Sequence, residues 1–402
     1  MKKVYIVSAK RTAIGSFLGS LKDTHPSILG STLVKDVVKT IGDDAATNID
    51  EVIIGNVLPA GIGQGIARQI SINGSLHPLI PAHVVNNVCC SGMKVVMNAA
   101  TNILANRANL VLAGGVESMS NAPFILPKNL RGGNKLGDFK AEDHILKDAL
   151  LDAFEGYHMG ITAENIAEKY NITREEQDEF AINSQEKAIK AVDSGRFKDE
   201  IVSLNIKIGR EEAIFDTDEY PNRKTSLEKL GSLKPVFKKD GTVTAGNSSG
   251  INDGSSLTLI ASEEAVSKYN LTPLVEIISY EQTGIEPSIM GLGPVGSTKK
   301  ALSSANLSLG DIDLIELNEA FAAQSLGVIH ELSREHNLTK EEILSKTNVN
   351  GGAIALGHPL GSSGNRIIVT LIHELIKQKK TYGLASLCAG GGMGTTIIVK
   401  RV

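Results

Sequence analysis

Tryptophan is absent from the 402 residues and aromatic side chains make up 4% of them. The chain therefore has no stock of stacking platforms for single-stranded nucleic acid. Neither sign of charge dominates: 41 Lys and Arg against 45 Asp and Glu leave a formal charge of −4. That balance argues against a phosphate backbone as partner and, with 42% hydrophobic residues, against intrinsic disorder. No apolar run approaches the roughly 20 residues that a bilayer span requires, so no membrane is expected. Cysteine is scarce and odd in number, three in all, which does not describe a disulfide framework. MKKVYIVSAKRT passes straight into strand-like alternation without an apolar segment of secretory length, and IIVKRV carries no peroxisomal tripeptide. The expected setting is reduced and cytoplasmic. His77 with His83, and His330 with His336, lack close ligand spacing and adjoining cysteines, so no metal is expected.

Glycine, by contrast, is plentiful: 40 residues, about a tenth of the chain against an average near 7%. Close backbone approaches follow from that. Short β runs alternate with helical stretches, the pattern of an α/β protein. Strands are expected at Val4–Ser8, Glu51–Ile54, Ala82–Val88, Leu110–Ala113, Leu274–Ser279, Leu314–Leu317, Val349–Asn350 and Leu384–Leu387. Helices are expected at Ile28–Thr40, Met93–Asn106, Arg174–Ser194, Thr298–Ser304, Phe321–Glu335 and Asn365–Lys379.

The two ends of the chain look like copies of one unit. The apolar placement in Ile49–Gly55 resembles that in Ile312–Asn318. Cys90-Ser91-Gly92 opens a helix leading to the strand at Leu110 and then to Gly114-Gly115. Ser362-Ser363-Gly364 does the same ahead of the strand at Leu384 and Gly390-Gly391-Gly392. Residues 1–120, completed by about 248–272, form the first half, residues 273–402 the second, and 121–247 an inserted loop domain. Equivalent loops of the copies would meet near the pseudo-twofold, which is where a site belongs.

Four segments carry chemistry. In Asn86-Asn87-Val88-Cys89-Cys90-Ser91-Gly92 a strand runs into a small-residue turn and a helix starts at once. A cysteine there sits at the positive end of a helix dipole, which is expected to lower its pKa and favour the thiolate. The corner is akin to a nucleophile elbow; the plain alternative is a buried apolar cysteine. The loop Asn348–Gly364 wedges His358 between Gly357 and Pro359, and a surface histidine needs no such backbone. Cys388 ends a strand ahead of Gly390-Gly391-Gly392, whose N–H groups are placed to converge on an anion. Asn318-Glu319-Ala320-Phe321 closes another strand with two polar side chains. Two cysteines, a histidine and an amide fit a cysteine-nucleophile acyl transferase. The second thiol is then available to take a proton from the carbon beside a thioester carbonyl.

Together VCCSGMK around Cys89, NEAF at 318–321, GHPLGSSG from Gly357 and CAGGGMG from Cys388 resemble the thiolase family in its biosynthetic short-chain form. The resemblance covers essentially the whole chain. It implies two similar βαβ-type halves in a five-layered αβαβα arrangement. It also implies condensation of two acetyl-CoA to acetoacetyl-CoA plus CoA, reversibly and through an acetyl-cysteine, with no prosthetic group and coenzyme A thioester as substrate. By resemblance Cys89 carries the acyl group, His358 activates it and Cys388 is the acid and base at carbon. Asn318 holds a water that shares one oxyanion hole with His358, and the N–H groups of Cys89 and Gly390 make the other. Tyr157-His158-Met159-Gly160 resembles the acyl-pocket lining, with Met159 limiting its depth. Ala245 and Ser249 resemble pantetheine contacts, with Leu150, Phe237 and Phe321 flanking and Arg223 toward the adenine. The family's association implies a homotetramer, a dimer of dimers, built through the segment near Phe124–Leu136.

Two departures stand out. The residue after the nucleophile is usually glycine in this family and here is Cys90, whose thiol is expected to trap or shadow Cys89. Arg223 stands one residue beyond the usual place. Among rivals, a longer-chain degradative thiolase differs in chain-length preference, and an inactive acyl-CoA-binding relative would lack turnover. A ketoacyl-synthase relative is disfavoured by Cys388 where a histidine is expected. Gly291-Leu292-Gly293-Pro294-Val295-Gly296 matches a dinucleotide fingerprint in letters. No strand directly precedes it and Pro294 interrupts it, so it is taken as a loop ahead of the helix at Thr298.

Overall fold

A computed structural model of the protein describes residues 2–209 and 211–402. Strand β1 (Val4–Arg11) opens the chain and helix α1 (Pro26–Ile41) follows, with Pro26 in its first turn. Proline costs nothing there, because its missing N–H is one that has no intrahelical partner. Next come β2 (Glu51–Gly55), α2 (Ile66–Asn73), β3 (Ala82–Val85), α3 (Ser91–Leu104) and β4 (Leu110–Ser118). Helices α4 (Met159–Tyr170) and α5 (Arg174–Asp193) lie in the middle segment. Thr173 and Glu176 start α5 with a reciprocal capping box. Strands β5 (Asn252–Ser262) and β6 (Val275–Gly284), helix α6 (Gly293–Ala305), strand β7 (Leu314–Leu317) and helix α7 (Ala322–His336) follow. Helix α8 (Leu360–Gln378) and strands β8 (Tyr382–Ala389) and β9 (Met393–Arg401) complete the chain.

The main sheet runs in the order β7-β8-β9-β6-β1-β5-β4-β2-β3. Its seam, β6 against β1, is only two residue pairs long, Tyr5 with Glu276 and Ile6 with Val275. Outward from that seam the halves repeat. β1, β5, β4 and β2 on one side match β6, β9, β8 and β7 on the other, in each case antiparallel, antiparallel, then parallel. A parallel bridge between Ile315 and Thr347 stands where β3 would be in the second copy.

Helices α3 and α8 lie side by side and each touches strands of both half-sheets. One apolar cluster joins them to both, with Met93, Val96, Ile367 and Ile368 packed among Val111, Ile260, Ala385 and Val399. α1 and α2 cover the outer face of the first half-sheet and α6 that of the second, each with its own cluster. The result is five layers. Being packed on all sides, α8 is buried without a break from Leu360 to Ile372, which is why its sequence is apolar on more than one face. The two central helices approach so closely that a Cβ on Gly92 would lie 2.8 Å from the carbonyl oxygen of Gly361. Only glycine permits that contact.

Three expectations change. Val349–Asn350 is a turn and not a strand; the pairing falls on Thr347, and Asn348 and Gly351 take positive φ. Helix α6 begins at Gly293, so the Gly291–Gly296 segment is the helix entry with Pro294 in its first turn. No strand was expected at β5 or β9. Among the described residues no helix is long and apolar enough to cross a membrane.

Candidate active site

After β3 the chain turns through Asn86 and Asn87 into α3. Val88 has φ +50°, a left-handed conformation that is strained for a β-branched residue. Neighbouring side chains brace it: Val88 N–H donates to Asn86 Oδ1 at 3.0 Å, and Ser91 Oγ accepts from Asn87 N–H and donates to the Val88 carbonyl. The strain delivers Cys89 to the start of α3, half-buried, against Val57, Leu58 and Leu360. The thiolate expected from the helix dipole is not the resting state. Burial pushes the Cys89 thiol up to about 11, although the N–H groups of Gly390 and of Cys89 itself pull the other way. Desolvation of a charge outweighs the partial charges of a helix end.

His358 reaches the site on the loop before α8. Its Nδ1 lies 2.6 Å from Ser363 Oγ, and that hydroxyl donates to the Pro359 carbonyl. With its one hydrogen so engaged, Ser363 accepts from Nδ1–H, which leaves a lone pair on Nε2. Burial, aided by the positive charge of Arg366, lowers the imidazole pKa to about 3. The ring is a neutral base with its lone pair on Nε2. Asn318 Nδ2 stands 3.5 Å from that nitrogen, and Asn318 Oδ1 is buried with no protein partner among the described residues. The loop is held from its other side by Glu319, whose carboxylate accepts from Ser184 Oγ, Asn348 Nδ2 and Ile354 N–H. The His358 N–H donates to Asn252 Oδ1 at 3.0 Å.

Cys388 is 1% exposed near the end of β8. Burial and the neighbouring Cys89 and Cys90 raise its thiol well above the ordinary value. The turn beyond it uses Gly391 and Gly392 at φ +82° and +85°. A Cβ on Gly390 would lie 3.2 Å from Met159 Sδ and 3.7 Å from Val88 Cγ1, so Gly390, Met159 and the Cys89 corner converge. Cys90 lies beside Cys89 and Cys388 but is fully buried. Its thiol turns into the core, where it donates to the Leu387 carbonyl at 3.6 Å.

The remaining residues expected at the site fall in four places. Met159, Phe237 and Phe321 share an apolar cluster with Cys388. Phe237 stacks on His158 with centroids 4.5 Å apart and meets Phe321 edge-on. His158 caps α4 through Nδ1, which accepts from Gly160 N–H, so its free donor is Nε2–H. Leu150 packs against the same apolar cluster as Cys89. Ser249 N–H donates to the Ala320 carbonyl, joining its loop to the segment after Asn318. Ala245 and Arg223 line a cleft of about 970 Å³, where Arg223 pairs with Asp193 on the surface. The supporting residues Ser363, Asn252, Glu117 and Arg366 were not singled out by the sequence. Ser363 alone had a signal, five residues beyond His358 in the same segment.

Residues 4–264 match the model for the N-terminal domain of thiolase and residues 271–401 the model for its C-terminal domain. The chain belongs to the thiolase family. It is 50% identical over 402 residues to an acetyl-CoA acetyltransferase of Escherichia coli strain K12, covering all of both chains. An acetyl-CoA acetyltransferase of Syntrophomonas wolfei is 48% identical over 403 residues, again with both chains fully covered. The crystal structure of the Bacillus anthracis acetyl-CoA acetyltransferase superposes with a TM-score of 0.94 at 41% identity, covering 100% of this chain and 99% of that one. Human mitochondrial 3-ketoacyl-CoA thiolase in complex with CoA gives 0.93 at 43% identity, covering 100% and 98%.

Proposed function

We propose that the chain is an acetyl-CoA C-acetyltransferase that joins two acetyl-CoA into acetoacetyl-CoA and CoA, reversibly. Supporting this reading are the approach of Cys89 to Gly390 and Cys388 and a buried, neutral His358 whose Nε2 faces Asn318. Cys89 Sγ attacks the thioester carbonyl of the first acetyl-CoA and its proton passes to His358 Nε2. The tetrahedral oxyanion is received by the N–H groups of Cys89 and Gly390. The C–S bond to CoA breaks and the departing thiolate takes the Cys388 proton, leaving acetyl-Cys89, an imidazolium and a Cys388 thiolate. That thiolate removes a proton from the methyl of the second acetyl-CoA. The enolate oxygen is held by His358 Nε2–H and by a water on Asn318. The enolate carbon attacks acetyl-Cys89, acetoacetyl-CoA departs, and the Cys89 thiolate recovers its proton from His358. Protons balance over the cycle and no prosthetic group is required.

Coenzyme A thioester enters along the cleft lined by Ala245 and Arg223, passes Ser249, and reaches the cysteines between Leu150 and the ring stack of His158, Phe237 and Phe321. Met159 closes the acyl end. The halves are residues 1–120 with 248–272, and 273–402, with 121–247 inserted; the matching strand orders support this division. A homotetramer in the cytoplasm is the state we assign, its contacts made through Phe124, Leu126 and Leu136, which are 69, 54 and 94% exposed. Mixing the protein with acetoacetyl-CoA and CoA and following loss of the magnesium-enolate absorbance tests the reaction. Rapid loss with acetyl-CoA formed is expected; inertness toward this and longer 3-ketoacyl-CoAs would leave only an acyl-CoA-binding protein. The likeness to the human 3-ketoacyl-CoA thiolase favours a second, longer-chain reading, which a chain-length series in thiolysis separates.

A further inference from the structure

Glu117 lies near the end of β4, fully buried, and no basic side chain pairs with it among the described residues. Four N–H donors converge on it instead. Oε1 accepts from Asn56 Nδ2 at 2.9 Å and Leu58 N–H at 3.1 Å, and Oε2 from Val57 N–H and Gly361 N–H, both at 2.9 Å. Burial pushes the Glu117 carboxyl up to about 7 while the N–H donors pull it back; only the ionised form accepts at all four positions, since protonation or an amide would set a donor against a donor. Burying a carboxylate without a counter-charge is costly, so the fold accepts a penalty here that a neutral side chain would avoid.

The donors come from both halves of the molecule. Asn56, Val57 and Leu58 follow β2, and Val57 and Leu58 form the apolar floor against which Cys89 packs. Gly361 stands three residues beyond His358 in the first turn of α8. A Cβ on Gly361 would lie 2.8 Å from both Glu117 Oε2 and Asn56 Cα, so the close approach is specific to glycine. The acidic groups that face the carboxylate are Asp253 on β5 and the Cys89 thiol, and its charge raises the pKa of that thiol.

We propose that Glu117 is a positioning residue of the reaction: its carboxylate ties the His358 loop to the floor beneath Cys89, and its negative charge acts on the Cys89 sulphur. The inference rests on the thiolase chemistry proposed above, but half of it is read without turnover. Glu117→Gln is isosteric and neutral. Its kcat is expected to fall between about 10- and 100-fold with KM little changed, because a misplaced base is lost to the transition state and not to binding. Separately, the pH profile of Cys89 alkylation by iodoacetamide moves to lower pH, since the anion that opposes thiolate formation is gone. A folded Glu117→Gln with wild-type kcat overturns the proposal. So does a fall in kcat with an unmoved alkylation profile, which is what a purely structural role gives. If Glu117→Gln does not fold, Glu117→Asp keeps the charge and shortens the reach. A kcat reduced at unchanged KM, with the wild-type alkylation profile that the retained charge predicts, then supports the tie; a wild-type kcat, a raised KM or a moved profile refutes it. Absence of turnover in the wild-type protein would sink the enzymatic reading while leaving the alkylation shift intact.

Discussion

Replacing Cys388 with alanine separates two steps that one pocket performs. The side chain is 1% exposed and packs with Met159, Met290 and Phe321. Deleting its sulphur removes little volume, at a cost of about 1 kcal/mol, small against the roughly 5–15 kcal/mol by which domains are stable. The chemistry loses far more, and unevenly. In acylation of Cys89 the leaving group is a thiolate, which departs unprotonated at small cost because thiols are ordinary acids near pKa 8.5. In condensation the proton comes from carbon, and without a positioned base the step loses about 10²–10⁴-fold, or some 3–5 kcal/mol. Cys388→Ala is therefore expected to gain one acetyl group from acetyl-CoA, read by intact mass, while acetoacetyl-CoA formation collapses. Condensation at the wild-type rate would refute the two-cysteine mechanism. Failure to acetylate would instead mean that Cys388 supports Cys89 itself.

Three further outcomes follow from the same geometry. His358 is held to about 3 in the folded chain against an ordinary 6.5, so on acidification the unfolded chain takes up this proton before the folded one does. Its contribution to stability is therefore lost as pH falls from about 7 toward 4. The denaturation midpoint should then depend less on pH in His358→Asn, and equal slopes for the two proteins would count against the buried neutral ring. Met159→Ala opens the acyl end beside Gly390 at about 2–4 kcal/mol of stability. Each methylene of acyl chain is worth about 1–3 kcal/mol of discrimination, so kcat/KM should shift toward longer 3-ketoacyl-CoAs, and an unchanged chain-length ratio would remove Met159 as the limit. Cys90→Ala should cost about 1–2 kcal/mol from the lost core packing and leave turnover intact; a loss of activity in the folded variant would return Cys90 to the site.

Much of the architecture was legible from local pattern. Val4, Glu51, Leu110, Leu314 and Tyr382 start strands within a few residues of where apolar runs place them, and the repeat of Ile49–Gly55 in Ile312–Asn318 reappears as β2 and β7 in matching positions. The long central-sheet strands β5 and β9 were missed, as were the short pairs in the middle segment, such as Leu204–Ile208 with Glu211–Phe215. All eleven residues of β5 are buried, so it carries no alternation. It starts Asn-Asp-Gly-Ser-Ser, which reads locally as loop, and its hydroxyls find partners such as Gly115, Ser362 and Ala113 only across the sheet and on α8.

The residue types and their order were enough to say which kind of chemistry the chain carries, because a thiol at a helix start, a histidine in a glycine loop and a second thiol at a strand end are local features. What state those groups rest in was settled by the tertiary structure. Burial overrides the helix dipole at Cys89, Ser363 sets the tautomer of His358, the core claims the side chain of Cys90, and Glu117 draws N–H groups from both halves onto one carboxylate. Each depends on solvent exclusion and on partners brought together from distant parts of the chain. Neither is a property of any short stretch of sequence.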